Sequence, residues 1–169
     1  MSLRKALAER SRPRMAQRVS AASYGTVLII AALLVIKAED VSSGWGWELV
    51  TGVGVATWVA HLFAEVLGNH VSSAAAHEGH EVREAAVDGL PILLAAVLPA
   101  VALGMGSLGV LDPRQSLWIA VIAALVQLVG LGAFVGAVLP AEESSTWRYA
   151  AITGAVGVGV VILLVALGH

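Results

Sequence analysis

Five long apolar stretches constrain this chain more than any other feature of its sequence. They cover about residues 20–36, 48–70, 88–107, 116–139 and 147–167. Each is close to the length of about 20 apolar residues that an α-helix needs to cross a bilayer. The chain is 58% hydrophobic and 13% charged, whereas about a quarter of the residues in a soluble domain are charged. Because unpaired backbone groups cannot face lipid, the sequence predicts an all-α membrane protein, a bundle of five transmembrane helices.

Basic residues before the first stretch predict the orientation of the bundle. Six of the ten lie there: Arg4, Lys5, Arg10, Arg12, Arg14 and Arg18. With five spans and a cytoplasmic N-terminus, Arg83 and Arg148 join them on the inner side, and Lys37 and Arg114 lie outside. The positive-inside rule therefore predicts a cytoplasmic N-terminus and an external C-terminus. We expect a basic segment over residues 1–18, either an amphipathic helix on the inner leaflet or a frayed topology signal, and a transmembrane domain over 19–169.

The second stretch carries polar residues where a membrane helix is normally apolar. In WVAHLFAEVLGNH, residues 58–70, His61, Glu65 and Asn69 follow at intervals of four, which places them on one helical face. A carboxylate inside the bilayer costs a few kcal/mol, so it takes up a proton, finds a partner or borders water. His61 and Glu65 together can carry a proton or bind a divalent cation. The alternative is that Glu65 reaches the interface and His61 hydrogen-bonds a neighbouring carbonyl.

The connection after the second stretch is rich in residues that bind metals. AAAHEGHEVREAAVD contains His77, His80, Glu81 and Glu84, whose nitrogen and oxygen donors are suited to collecting a divalent metal at the inner mouth. The alternative is a solvated acidic turn. HEGHE is not the zincin pattern, because its histidines are three residues apart instead of four. The sequence contains no recognisable nucleophile–base pair and no phosphate-binding loop. We therefore expect no enzyme, no organic cofactor and no nucleic-acid partner.

The order of these segments resembles the vacuolar iron transporter family, whose members have five membrane helices. SYGTVLIIA stands at the Ser-Asp-Gly opening of the family's first helix, and GVGVATWVAHLFAEVLGNHVS resembles its long second helix. LLAAVLPAVALG is similar to its proline-containing third helix, and GAFVGAVLP followed by WRYAAITGAVGVGVVILLVALG to its last two. The resemblance covers about residues 20–168.

The resemblance implies a homodimer that carries Fe²⁺ or Mn²⁺ out of the cytoplasm in exchange for protons. In the family, acidic residues of the first two helices and methionines of the second line the path, and a Glu-rich cytoplasmic module gathers metal. By this likeness Tyr24, His61, Glu65 and Asn69 are expected to line the path. The inner capture site is then expected at His77, His80, Glu81 and Glu84.

Three departures from the family keep other functions open. Tyr24 stands at the position of the first-helix acid, the second stretch contains no Met, and the cytoplasmic module is reduced to about residues 76–87. The sequence therefore supports a proton-coupled transporter of Fe²⁺, Mn²⁺ or Zn²⁺, a non-transporting assembly or regulatory subunit, or a cation or proton channel. The chain also has a fainter likeness to six-helix bacterial potassium channels, but it does not contain their FSDG motif. We expect a bacterial cytoplasmic membrane as the location.

Overall fold

A computed structural model describes the backbone of residues 3–72, 78–138 and 146–167, and the side chains of residues 15–68, 82–137, 147–160, 162 and 166. The helices are α1 Leu3–Val35, α2 Ala38–Ser42, α3 Trp45–Ser72, α4 Glu78–Asp88, α5 Leu90–Ser107, α6 Pro113–Val138 and α7 Thr146–Leu167. No strand occurs in these ranges. The prediction of an all-α protein is therefore confirmed.

Four segments of the described chain are long and apolar enough to cross a membrane. They are Met15–Val35, Trp45–Gly68, Val82–Ser107 and Pro113–Ala137. Their length and composition identify the chain as an integral membrane protein. The helix α7 has 22 residues, and its role as a fifth span stays a prediction, as does the orientation of the bundle.

Two boundaries differ from those expected from hydropathy. The helix α1 runs from Leu3 to Val35, so the basic segment and the first apolar stretch belong to the same helix. A helix, α4, already precedes the expected start of the third stretch near residue 88, and it gives way to α5 at Gly89. A proline in the first turn of α5 suits this new start, because proline needs no hydrogen-bond acceptor there.

The helix α1 lies at the centre of the bundle. It packs against α3, α5, α6 and α7, and Ile29, Ile30 and Leu33 on it are at most 1% exposed. Leu103 of α5 and Ala124 of α6 complete the same core. Large apolar side chains on the outer faces of α5 and α6 stay exposed, as expected where lipid replaces water as the solvent.

Small residues bring the helices close together. A Cβ on Gly54 of α3 would lie 2.8 Å from the Cβ of Ala96 on α5. A Cβ on Gly132 of α6 would lie 2.6 Å from the carbonyl oxygen of Tyr149 on α7. Gly132 and Gly136 form a GxxxG pattern on α6, which is typical of close contact between membrane helices.

The two ends of the bundle differ in their chemistry. At one end, which we call the basic end, α1 begins, α3 ends, and α4 and the start of α5 lie. At the opposite end α2 packs against α3, α5 and α6. There the Asp112 side chain accepts hydrogen bonds from the backbone N–H groups of Arg114 and Gln115, at 2.9 and 3.2 Å, and so caps α6. The polar residues of interest lie at the basic end.

Candidate cation site at the basic end

His61 and Glu65 face each other one helical turn apart on α3. His61 Nε2 lies 3.6 Å from Glu65 Oε2, and the two side chains are only 23% and 14% exposed. Thr57, one turn before His61, is also buried. The polar face of α3 is therefore turned mainly toward protein, and the pairing expected from the spacing of these residues is confirmed.

Gln17 of α1 supplies a third side chain to this pair. Its Nε2 donates a hydrogen bond to Glu65 Oε1 across a separation of 48 residues. The other carboxylate oxygen, Oε2, and the imidazole Nε2 of His61 are buried and have no hydrogen-bond partner among the described residues. Their 3.6 Å separation exceeds a normal hydrogen bond. Buried polar atoms without partners are costly, so this arrangement favours a bound proton or cation.

Arg18, the neighbour of Gln17, pairs with a second buried carboxylate. Its Nε lies 2.8 Å from Asp88 Oδ1 at the end of α4. The Asp88 side chain is 9% exposed and that of Arg18 is 49% exposed. Two consecutive residues of α1 therefore hold carboxylates of α3 and of α4, and they join three helices at the basic end.

Trp58 and Gly89 set the position of His61. Trp58 Nε1 donates a hydrogen bond of 3.1 Å to the carbonyl oxygen of Ala86 on α4, so Trp58 packs between two helices. A Cβ on Gly89 would lie 3.0 Å from Trp58 Cδ1 and 3.2 Å from His61 Cδ2. The absence of a side chain at Gly89 thus lets α3 approach the α4–α5 junction and places His61 against it.

The charges of this cluster do not cancel. Glu65 and Asp88 belong to one cluster, because the adjacent residues Gln17 and Arg18 of α1 hold them. Ionised Glu65 and Asp88 contribute two negative charges and Arg18 one positive charge, so the cluster carries a net charge of about −1 when His61 is neutral. In a poorly solvated site an uncompensated charge is unfavourable. Uptake of one proton or one cation makes the cluster neutral or positive.

The geometry of the pair suits a cation held by two ligands. An ion about 2.1 Å from a nitrogen and an oxygen holds those atoms about 3.0 Å apart at a right angle and about 3.4 Å apart at a tetrahedral angle. The observed 3.6 Å is slightly longer, and a small side-chain rotation would close it. Within the described part of the chain, no group of three or more His, Asp or Glu side chains is placed to hold a metal. A single copy therefore offers two ligands here.

Tyr24, another predicted site residue, is not brought to this pair in the described structure. Tyr24 is 57% exposed on α1, and no hydrogen bond joins it to His61 or Glu65 in the described structure. Glu84 is exposed on α4. The side chains of Asn69, His80 and Glu81, and the whole of His77, lie outside the described residues.

No sequence pattern indicated Gln17 and Arg18 as partners of these carboxylates. Both precede the apolar stretch that was expected to begin near residue 20, and their partners lie 48 and 70 residues away. Asp88 was expected only as one of several acidic residues in a connection. A weak indication was available, because Asp88 directly precedes an apolar stretch, where a buried carboxylate needs a cationic partner.

Comparisons with family models, with curated proteins and with solved structures find no match for this chain. The fold and the site therefore define its class on their own. It is a helical integral membrane protein with a partly buried His–Glu pair at the basic end of its bundle. The likeness to the vacuolar iron transporter family stays a prediction.

Proposed function

We propose that this protein carries a divalent cation, Fe²⁺ or Mn²⁺, across a membrane in exchange for protons. The observation that carries the proposal is the facing pair of buried, unpartnered atoms, His61 Nε2 and Glu65 Oε2. A site that is short of one positive charge takes up either a proton or a metal ion. Competition between the two for the same atoms is the basis of exchange.

Access to the pair is from the basic end. Glu65 lies seven residues before Ser72, the last described residue of α3, or about 10 Å along the helix axis. His61 lies one turn deeper. A cation entering from the cytoplasm meets the carboxylate first and the imidazole second. A second copy of the chain, or the predicted capture residues His77, His80, Glu81 and Glu84, would supply the further ligands that a divalent ion requires.

The proposal is tested by flux measurements on the purified protein in liposomes, with one dye for metal and another for pH. We expect metal movement in one direction and proton movement in the other. Glu65→Gln should abolish both fluxes, because an amide cannot alternate between a proton and a metal. The amide oxygen still accepts the hydrogen bond from Gln17, so the fold should survive, as size-exclusion chromatography would show.

Glu48→Gln is the matched control. It makes the same substitution on the same helix, at an exposed position in the first turn of α3. We expect Glu48→Gln to transport normally. Normal transport by Glu65→Gln would show that Glu65 is not the exchange site.

A non-transporting membrane subunit is the second candidate function. The described residues of one copy place no three metal ligands together, which is what a bundle without metal chemistry would show. Calorimetric titration with Fe²⁺, Mn²⁺ and Zn²⁺ separates the two functions. Binding that is lost in Glu65→Gln supports transport, whereas no binding and no flux support the subunit. An ionic current without coupled counter-movement would instead indicate the cation or proton channel.

A further inference from the structure

A groove runs between α1, α5 and α6 from the basic end toward the middle of the bundle. It consists of two adjoining cavities of about 470 and 330 Å³. Ala22, Pro91 and Leu131 line both of them, so the two cavities are continuous. The walls are almost entirely apolar.

The length of the groove matches the depth of a single leaflet. Along α1 its lining extends from Met15 to Thr26, which corresponds to about 16 Å of helix. Half of a hydrocarbon core is about 15 Å thick. The groove therefore extends from the interface to about the midplane, as the acyl chain of one lipid does.

The groove opens toward the surface that faces hydrocarbon. Leu94 and Phe134 on its rim are 64% and 48% exposed. Gln127 lies at its deep end, where one amide atom is buried without a partner in the described structure. An acyl chain cannot form a hydrogen bond with this amide, so the apolar part of the groove ends at Gln127.

Helix α1 is rich in basic residues up to the outer mouth of the groove, which Arg18 lines. Residues 3–18 of α1 contain six basic residues and one acidic residue, +6 and −1, a net charge of +5. Arg18 lines the groove and uses its Nε for Asp88, which leaves the other guanidinium N–H groups available for a further acceptor. Arg18 and Arg83 also line a neighbouring cavity of about 190 Å³, together with Glu84 and Asp88.

We propose that this groove binds an anionic phospholipid from the leaflet at the basic end. One acyl chain lies along Val19, Ala22 and Leu131, and the phosphate lies at the mouth near Arg18 and Arg83. An anionic headgroup is favoured over a zwitterionic one, because each basic residue near the surface contributes about 1 kcal/mol. This site is separate from the His61–Glu65 pair, and it does not depend on the protein being a transporter.

Native mass spectrometry of the full chain in detergent tests the proposal by titration with phosphatidylglycerol and with phosphatidylcholine of the same acyl chains. We expect phosphatidylglycerol to bind about tenfold more tightly. Arg83→Gln should reduce this preference, and Arg114→Gln, at the opposite end, should not. Arg83 is preferred to Arg18 as the probe, because loss of Arg18 would leave Asp88 buried without its cation. Equal affinity for the two lipids would overturn the proposal.

Gly130→Leu tests the groove itself. A Cβ at Gly130, which lines the deeper cavity, meets no atom within 4 Å, so the leucine side chain should enter the groove without displacing the protein. It should reduce phosphatidylglycerol binding about tenfold or more, since it competes for the space of the acyl chain. Gly52→Leu on α3 is the matched control, because its Cβ also meets no atom within 4 Å. Unchanged lipid binding by Gly130→Leu would place the lipid elsewhere and overturn the proposal.

Gln127→Leu distinguishes a lipid from a second copy of the chain. It removes the amide from the deep end and extends the apolar lining, so lipid binding should be retained or strengthened. If a second copy filled the groove and paired with this amide, Gln127→Leu would instead reduce the dimer fraction in the mass spectrum. That result would contradict the lipid assignment.

Discussion

Asp88 illustrates how this bundle admits charge into an apolar environment. Its side chain is 9% exposed, and its positive partner is Arg18 on another helix. Removing one member of a buried ion pair leaves the other desolvated and uncompensated, which costs more than the pair itself contributes. We therefore predict that Arg18→Gln lowers the free energy of unfolding by about 1–3 kcal/mol, less than for a fully buried pair because Arg18 is half exposed.

Denaturation of the purified protein in detergent measures this loss, and a double-mutant cycle with Asp88→Asn assigns it. The double variant should be more stable than Arg18→Gln alone, because the neutral amide no longer needs a cation. Arg114→Gln, exposed at the opposite end, should change stability by less than about 0.5 kcal/mol. A double variant as unstable as the sum of the single variants would show that the two side chains are not coupled.

The helices α6 and α7 pack closely because no side chain separates them at Gly132. At Gly132 a Cβ would lie 2.6 Å from the Tyr149 carbonyl and would also meet the side chain of Thr153. Two residues earlier, at Gly130, a Cβ would meet nothing within 4 Å. Substitutions at Gly132 and Gly130 therefore separate the effect of helix packing from the effect of helix propensity within one helix.

We predict that Gly132→Ala destabilises the protein by about 1–3 kcal/mol, because α7 must move away from α6. Gly130→Ala should be neutral or stabilise by up to about 1 kcal/mol, since alanine is the better helix former. Thermal unfolding of the two variants, followed by circular dichroism in the same detergent, measures the difference. Equal midpoints would mean that α6 and α7 tolerate a wider separation than the structure indicates.

The helices were more predictable from the sequence than their ends and partners were. Long apolar runs predict helices, because backbone polar groups cannot face lipid unpaired, and four helical segments long and apolar enough to cross a membrane are present in the described chain. Hydropathy did not show that the basic segment and the first apolar stretch form one helix, α1. His61 and Glu65 were predictable because their interaction is local, at i and i+4. Gln17, Arg18 and Asp88 meet only after the helices pack, and no spacing encodes that contact.

The basic end of the bundle holds the His61–Glu65 pair, the Arg18–Asp88 ion pair and the mouth of the groove. With the N-terminus in the cytoplasm, all three face the compartment from which a metal exporter draws its cargo. The orientation and the number of spans are therefore linked to the proposed direction of transport. Both are predicted by the charge distribution: eight basic residues lie inside and two outside, for five spans.

We predict that a membrane-impermeant maleimide reaches positions 43 and 115 from outside intact cells and position 83 only after permeabilisation. The chain has no cysteine, so Ser43→Cys, Gln115→Cys and Arg83→Cys each provide a single reactive thiol without background. His169→Cys tests the fifth span, because five spans place it outside with positions 43 and 115, and four place it inside with position 83. Labelling of position 83 in intact cells would show that the bundle has the opposite orientation and that the His61–Glu65 pair faces the outside. Labelling of position 169 only after permeabilisation would leave α7 as a helix that does not cross the membrane.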